Sequence, residues 1–391
     1  MNSRRSRLRS ALAVILTVLV LVPTAILFGR VWQDNSNRHS STALEQEGVE
    51  YLTALAPLIN SLVEYESSAV QNIGAAPDSL KPAIAKVSDV DNRLGDDLKT
   101  KERWAGLQDK IGKLAKVPGG QLPVFQAHSE VLGLVVALYD SVRRNSELNR
   151  DPDNDLSNLQ QAVAVDMPAA VQHTNQMGTL ANLQQTHKGA ITVQFGEEVI
   201  AVQNSVAALT DDLQAAVEDT KSQTLSGSLV TTLDQFRRGI ESMNRGANLG
   251  GDPNIATIAV AQSSLQTALN SLAGVTLREM GKLLDDRMSS VNYRRTEAIV
   301  LGLIAIALVL GALVWPATAR RRETTGARPV GETTRDIVAS SRSAGYGPGV
   351  GLPTAGSAPG AVPGSAPGPY DQLPAYGEVT PTRRERSGAV R

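Results

Sequence analysis

The stretch "FGEEVIAVQNSVAALTDDLQAAV", residues 195–217, decides the fold class of this chain. Its large apolar residues recur in steps of four and three, at Phe195, Val199, Val202, Val206, Leu209, Leu213 and Val217. This spacing places them along one side of an α-helix, as in long helices that pack against neighbours. The stretch therefore predicts a helix with one buried face.

The same period extends in both directions from this stretch. After a weak region at 220–224 the seam continues to Met243, and similar seams cover 34–76 and 265–291. Turn residues at 117–123, 151–152 and 250–253 separate the long segments. Asp151 and Asp252 each precede a Pro and are predicted to cap helices that restart there. We expect an all-α fold, a long antiparallel helical bundle, with two stacked four-helix-bundle modules as the alternative arrangement.

Two uncharged apolar stretches, residues 10–29 and 298–319, predict transmembrane helices. Each is long enough to cross a hydrocarbon core of about 30 Å at about 1.5 Å per residue. A cleaved signal peptide is the alternative for the first stretch, although its apolar run is longer than is usual there. Residues 1–9 carry four Arg and no acid, and residues 317–391 carry ten Arg and six acids. Because Arg-rich flanks stay in the cytoplasm, both termini are expected there.

This topology predicts five regions. Residues 1–9 form a basic cytoplasmic terminus, 10–29 the first transmembrane helix, 30–297 an extracytoplasmic helical domain, 298–319 the second transmembrane helix, and 320–391 a cytoplasmic tail. The tail is rich in Gly, Pro and Ala and poor in large apolar residues. Such a composition cannot bury enough apolar area to offset the entropy of ordering, so the tail is expected to be disordered. The expected location is the plasma membrane.

Composition argues against several function classes. The 38 basic and 39 acidic side chains nearly balance, which disfavours nucleic acid as a partner. Cysteine is absent and the four His are scattered, so no metal site of the usual types is expected. The acids of 151–155 alternate as in a calcium loop, but Leu156 and Ala162 stand where that loop needs Gly and Glu. Common catalytic motifs are missing, so we expect neither an enzyme nor a cofactor.

Two further stretches resemble a known class of protein. "DNRLGDDLKTKERWAGLQDKIGKL" (91–114) and "NSELNRDPDNDLSNLQQAVAVDMPAAV" (145–171) are similar to the extracytoplasmic helical sensor regions of bacterial chemoreceptors and sensor histidine kinases. The matching positions are Leu94, Gly95, Leu98, Thr100, Arg103, Trp104, Asn145, Ser146, Asp151, Pro152, Asp153, Asp155 and Pro168. The segment 283–295 resembles the helix that precedes the second span of such receptors. Residues 320–391 match neither the HAMP linker nor a signalling or kinase domain.

The sequence therefore predicts a two-span receptor-like protein without an enzymatic output of its own. Its outer domain would sense a small molecule or a partner, and it would signal through a separate cytoplasmic protein. The resemblance implies a homodimer embedded in the lipid bilayer. A buried Arg would suit an anion or carboxylate, and the candidate ligand contacts are Arg103, Arg143, Arg144, Asn145 and Asp151. The alternative is a membrane-anchored scaffold that binds proteins on both sides and senses no ligand.

Overall fold

The computed structural model describes residues 2–71, 75–149, 153–187, 189, 191–220, 223–248 and 252–323. The elements among these residues are helical, which confirms the all-α prediction. The disordered tail predicted over 320–391 lies outside the described residues from 324 onward. The helices are α1 (Asn2–Val70), α2 (Leu80–Leu94), α3 (Lys101–Leu114), α4 (Gln121–Asn145), α5 (Asn154–Gln161), a π-helical segment (Ala162–Asp166), α6 (Met167–Leu183), α7 (Thr192–Asp219), α8 (Gln223–Ala247) and α9 (Ile255–Glu323).

The predicted seam of 195–217 is buried in α7. Phe195, Val199, Val202, Leu209 and Leu213 are all largely inaccessible to solvent, and Ala216 takes the last buried position. The helix is interrupted in the weak region that follows, because α7 ends at Asp219 and α8 begins at Gln223. Helical periodicity was therefore sufficient to place these two helices and the break between them.

Helices α1 and α9 are both 69 residues long and run antiparallel. The Asn35 side-chain amide lies 3.4 Å from the Val291 carbonyl oxygen, and the Gln46 amide donates to Asp285 at 2.8 Å. Residues later in α1 therefore contact residues earlier in α9, as expected for antiparallel helices. At about 1.5 Å per residue each helix is about 100 Å long. The helix that begins at Ile255 continues without a break through residues 298–319.

Helix starts differ from the capping predictions. Asp252 was expected to cap the last helix, but α9 begins at Ile255, and the Asn254 side chain accepts the Thr257 backbone N–H at 3.0 Å. The Asp252 prediction is wrong, since the chain needs another residue after Pro253 before it enters helical geometry. Asp151 and Pro152 lie outside the described residues, and α5 begins after Asp153.

The π-helical segment Ala162–Asp166 divides the helical stretch that follows Asp153 into α5 and α6. Pro168 has no backbone N–H, and its ring opposes the carbonyl four residues earlier, at Ala164. A wider turn over Ala162–Asp166 accommodates this ring while the chain stays helical. Ala164 and Asp166 are both buried in this segment.

Exposure distinguishes the two predicted membrane segments from the other apolar helices. Among the described residues, α4 is the one helix that is long and apolar enough to cross a membrane by length and composition. A core helix meets the same criterion, and α4 buries Val135, Leu138 and Val142. The stretches 10–29 and 298–319 lie within α1 and α9. Their described large apolar side chains are mostly exposed, such as Leu19 at 67% and Leu308 at 69%.

Candidate functional site

A polar cavity of about 370 Å³ lies between the end of α1, the start of α4, the end of α6 and the start of α9. Its wall consists of hydroxyl and carboxamide side chains with two small apolar groups. The lining residues are Ser67, Val70, Gln71, Gln121, Thr179, Asn182, Gln185, Thr186, Ala259, Gln262, Ser263 and Gln266. This volume falls in the range of small-molecule sites.

Helical spacing explains why the wall is polar. In α6 and the turn after it, Thr179, Asn182 and Thr186 follow each other in steps of three and four, so they share one face. Leu180 and Leu183 point instead into the apolar core. In α9, Gln262 and Gln266 are likewise one turn apart, beside the buried Leu265. Each helix thus presents apolar residues to the core and neutral polar residues to the cavity.

Part of the wall is held by its own hydrogen bonds. The Gln121 side chain donates to the Val70 carbonyl at 3.0 Å and accepts from Thr186 at 3.3 Å. The Asn182 amide donates to the Gly178 carbonyl at 3.2 Å. These bonds fix the orientation of two of the amides that line the cavity.

A buried polar layer lies directly behind the wall. Thr179 donates to the carboxyl of Glu66 at 3.0 Å, and Gln262 donates to the Asn175 side-chain oxygen at 3.1 Å. Glu66 and Asn175 are both fully buried. Glu66 Oε2 and Asn175 Nδ2 make no hydrogen bond within the described part of the chain. Buried polar atoms normally have partners, so these two mark a place where a bound molecule or solvent would complete the site.

The pKa of Glu66 is raised to about 8, mainly by burial and to a smaller extent by the nearby Glu198 carboxylate. The hydrogen bond from Thr179 and the nearby Asn175 amide act in the opposite sense but do not outweigh the loss of hydration. Glu198 itself lies 2.8 Å from His173 Nδ1. At neutral pH the layer behind the cavity therefore contains a mostly uncharged carboxyl group.

Gly178 allows α6 and α9 to approach closely beside the cavity. A Cβ atom at this position would collide with the side-chain amide of Gln262. Without that Cβ, the Gln262 amide can reach Asn175. The glycine is thus required here by a close approach between two helices rather than by a turn.

A second polar cluster surrounds the π-helical segment. Burial raises the pKa of Asp166, and a hydrogen bond to Asp212 adds to this effect, while Gln161 and Arg143 oppose it. Arg143 Nη1 lies 3.3 Å from Gln161 Oε1. This cluster links α4, α5, the π-helical segment and α7. Its acid groups contact each other and join four elements, so we assign it a structural role.

The described ligand candidates from the sequence lie elsewhere than the cavity. Arg103 is exposed on α3. Arg143 and Arg144 both pair with Asp140 on their own helix. The Asn145 side chain donates to the Ser141 carbonyl at 2.8 Å. Asp151 lies outside the described residues, and a ligand contact at any of the five stays a prediction.

The residues that carry the resemblance have visible structural roles. Asp91 is buried and accepts hydrogen bonds from Tyr51 at 2.8 Å and from Thr100 at 2.6 Å. Trp104 is buried below this network. These contacts fasten the turn between α2 and α3 to α1. In the second stretch, Asp153 lies 2.6 Å from Arg287 of α9, so it ties the start of α5 to that helix.

A larger groove of about 810 Å³ lies between the apolar segments of α1 and α9. Its lining is almost entirely apolar, and the hydroxyl of Thr24 donates to the Val20 carbonyl at 2.8 Å. The Phe28 ring approaches Gly302, and Trp32 lies beneath the guanidinium of Arg295 at 5.2 Å. The groove offers area for acyl chains but few groups that could orient a polar molecule.

Comparison with known proteins adds no relative. No family model matches this chain, and no curated protein or solved structure matches it either. The similarity to sensor regions of chemoreceptors and sensor kinases therefore stays a hypothesis that rests on the quoted motifs.

Proposed function

We propose that this chain is a two-span membrane receptor-like protein that binds a small molecule in the polar cavity. In this proposal residues 10–29 and 298–319 cross the bilayer, and 30–297 form a long antiparallel helical bundle outside the cytoplasm. The exposed apolar side chains of both segments support the spans, because a soluble helix would bury or replace them. Trp32 and Arg295 then lie at the outer membrane surface, where amphipathic aromatic and basic side chains are favoured.

One observation carries the proposal: the helices that wall the cavity are the helices that enter the membrane. Ser67, Val70 and Gln71 lie at the end of α1, and Gln262 and Gln266 lie near the start of α9. Neither helix is interrupted before its apolar segment. A ligand that changes the separation or rotation of the two helices at the cavity would therefore move both spans.

Contacts between α1 and α9 continue from the cavity toward the membrane. Gln262 of α9 donates to Asn175 of α6, which forms the buried polar layer together with Glu66 of α1. Farther along, Glu45 of α1 pairs with Arg287 of α9 at 3.1 Å. Asn35 then reaches Val291 just outside the proposed span. A packed and hydrogen-bonded pair of helices can transmit a small displacement with little loss. We propose that a separate cytoplasmic protein receives it, that the receptor is a homodimer, and that the chain performs no catalysis.

A comparison of two tryptophan variants tests the binding claim. Ala259 lines the cavity and is exposed, so Ala259→Trp should fill it without removing a hydrogen bond. Val260, the next residue, is 68% exposed and lies outside the lining, which makes Val260→Trp the matched control. The full chain in lipid nanodiscs would be equilibrated with a metabolite extract, washed and analysed by mass spectrometry.

We expect one or more metabolites to be enriched by the unsubstituted chain and by Val260→Trp, and to be lost with Ala259→Trp. Equal, empty profiles for all three proteins would contradict ligand binding. That result would favour the membrane-anchored scaffold, for which the cavity has no role.

A further inference from the structure

We propose that the cavity takes a neutral polyhydroxylated molecule, such as a monosaccharide or a sugar alcohol. This inference rests on the proposed binding function and specifies its ligand. It follows from the chemistry of the wall, from its volume and from the unpartnered buried atoms behind it.

The wall contains no charged side chain. Ten of its twelve residues are Ser, Thr, Asn or Gln, and the other two are Val70 and Ala259. A carboxylate, phosphate or ammonium group that entered would lose hydration without gaining a countercharge, which is unfavourable. A neutral hydroxyl group instead exchanges its water contacts for comparable hydrogen bonds. The wall therefore disfavours ions and zwitterions.

Carboxamide side chains suit hydroxyl groups because both act as donors and acceptors. The wall contains six of them, from Gln71, Gln121, Asn182, Gln185, Gln262 and Gln266. Each amide offers an N–H donor and a carbonyl acceptor at one site, and each hydroxyl group can use both. A molecule with several hydroxyl groups can thus bond the donors and acceptors that these amides do not use within the protein, whereas an apolar molecule would use none of them.

The volume limits the size of the ligand. At about 30 Å³ per water molecule, a cavity of 370 Å³ corresponds to about twelve waters. A monosaccharide with part of its hydration shell fills such a space. The small surface of Val70 and Ala259 provides apolar contact for one face of a sugar ring, although the wall lacks an aromatic platform.

The layer behind the wall supplies the remaining groups. Asn175 Nδ2 is a buried donor without a partner, and Glu66 Oε2 is a buried oxygen without a partner. The other polar atoms of these two side chains, Asn175 Oδ1 and Glu66 Oε1, accept hydrogen bonds from the wall residues Gln262 and Thr179. A ligand hydroxyl group that displaced the Gln262 amide would donate to Asn175 Oδ1 in its place and leave Gln262 free to bond the ligand. Glu66 in its protonated form adds no charge to this layer.

The test uses three sugars with one ring. Glucose is neutral, glucuronate carries a carboxylate, and glucosamine carries an ammonium group. Binding to the full chain in nanodiscs would be measured by calorimetry and by thermal unfolding, together with a panel of neutral hexoses, pentoses and sugar alcohols. We expect at least one neutral compound to bind, and its carboxylate or ammonium analogue to bind at least tenfold more weakly.

Two substitutions locate the binding. Gln262→Met keeps the length of the side chain but removes the amide, and should weaken binding of the neutral compound at least tenfold. Gln214→Met, at an exposed position of α7 outside the wall, should leave binding unchanged. Tight binding of a charged analogue, or no binding by any compound of the neutral panel, would overturn the ligand class. The receptor proposal would survive either result if the extract experiment still enriched a metabolite that Ala259→Trp excludes.

Discussion

The guanidinium of Arg287 on α9 lies 3.1 Å from the carboxylate of Glu45 on α1. Glu45 is nearly inaccessible to solvent, and Arg287 also reaches Asp153 at the start of α5 at 2.6 Å. One side chain therefore joins three helices between the cavity and the proposed membrane surface. This places a charged contact on the path by which α1 and α9 are proposed to act together.

Replacing Arg287 should lower the stability of the protein, because the buried carboxylate of Glu45 loses its positively charged partner. Arg287→Met removes the positive charge but keeps most of the side-chain volume, so Glu45 is left buried without that partner. We expect a loss of about 3 kcal/mol in unfolding free energy, measured by chemical denaturation of the full chain in detergent. The double variant Arg287→Met with Glu45→Leu should recover most of this loss.

The exposed pair of Lys110 and Glu130 provides the control. Lys110→Met should change the unfolding free energy by less than about 1 kcal/mol, because exposed ion pairs contribute little. A similar loss for Lys110→Met and Arg287→Met would contradict the special role of the buried pair.

Glu66 should make the protein less stable as pH rises. Its pKa in the folded state is raised to about 8 from a usual value of 4.5. The folded protein thus binds this proton more tightly, so the stabilisation is complete below the unfolded value and is lost as pH rises through about 8. Between pH 6 and pH 8 we expect Glu66 to account for a loss on the order of 2 kcal/mol.

The variant Glu66→Gln isolates this effect. It keeps the shape of the protonated carboxyl and cannot ionise, so its unfolding temperature should fall less between pH 6 and pH 8 than that of the unsubstituted chain. Glu64→Gln, exposed on the same helix, should retain the full pH dependence. If Glu66→Gln and the unsubstituted chain lose stability in parallel, Glu66 is already ionised at neutral pH.

Gly48 is expected to tolerate no side chain. A Cβ atom there would overlap Ser146 and lie 2.9 Å from a methyl group of Leu148. Ser146 is fully buried, and its hydroxyl donates to the Val142 carbonyl at 2.7 Å, so it cannot move aside easily. Gly48→Ala should therefore cost about 1–3 kcal/mol in thermal or chemical unfolding.

Gly133 on α4 is the matched position. An added Cβ meets no atom within 4 Å there, and alanine favours helix by about 0.5–1 kcal/mol over glycine. Gly133→Ala should thus be neutral or stabilising. Equal effects of the two alanines would show that the segment around Ser146 does not pack against α1 as described.

Tyr51 should stabilise the turn between α2 and α3 through its hydroxyl group. Tyr51→Phe removes the donor to Asp91, which is buried and keeps only part of its hydrogen bonding through Thr100. We expect a cost of about 1.5–3 kcal/mol, as for other hydrogen bonds to charged groups. Tyr293→Phe, at a position that is 73% exposed, should change stability by less than about 0.5 kcal/mol, and an equal loss there would argue against the Asp91 network.

Periodicity predicted the helices well because burial on a helix repeats every three to four residues. The seam of α7, the break before α8 and the unbroken α9 all follow from it. Helix starts were harder, since Asn254 rather than Asp252 supplies the cap of α9. Asp252 and Asn254 flank Pro253, and both are suitable cap residues. Periodicity alone does not distinguish them, so it does not give the first residue of α9.

The cavity was not predictable in the same way. It is formed by segments near 70, 121, 180 and 262, and a single sequence does not state which of these meet. The sequence did contain one signal, because Glu66 lies four residues after Leu62 and so continues the buried seam of α1. The Arg candidates were chosen for their charge, whereas packing decided that Arg103 is exposed and that Arg143 and Arg144 pair with Asp140.

The coupling between the cavity and the membrane can be measured with two spin labels. The chain has no cysteine, so Gln33→Cys and Tyr293→Cys, both exposed near the proposed outer surface, can be labelled selectively. The distance between the labels would be recorded by pulsed electron resonance in nanodiscs, with and without the metabolite extract. We predict that the extract shifts this distance, that it does so again in the Val260→Trp background, and that Ala259→Trp abolishes the shift. The same distance distribution with and without extract, under conditions where a metabolite is bound, would contradict transmission through α1 and α9.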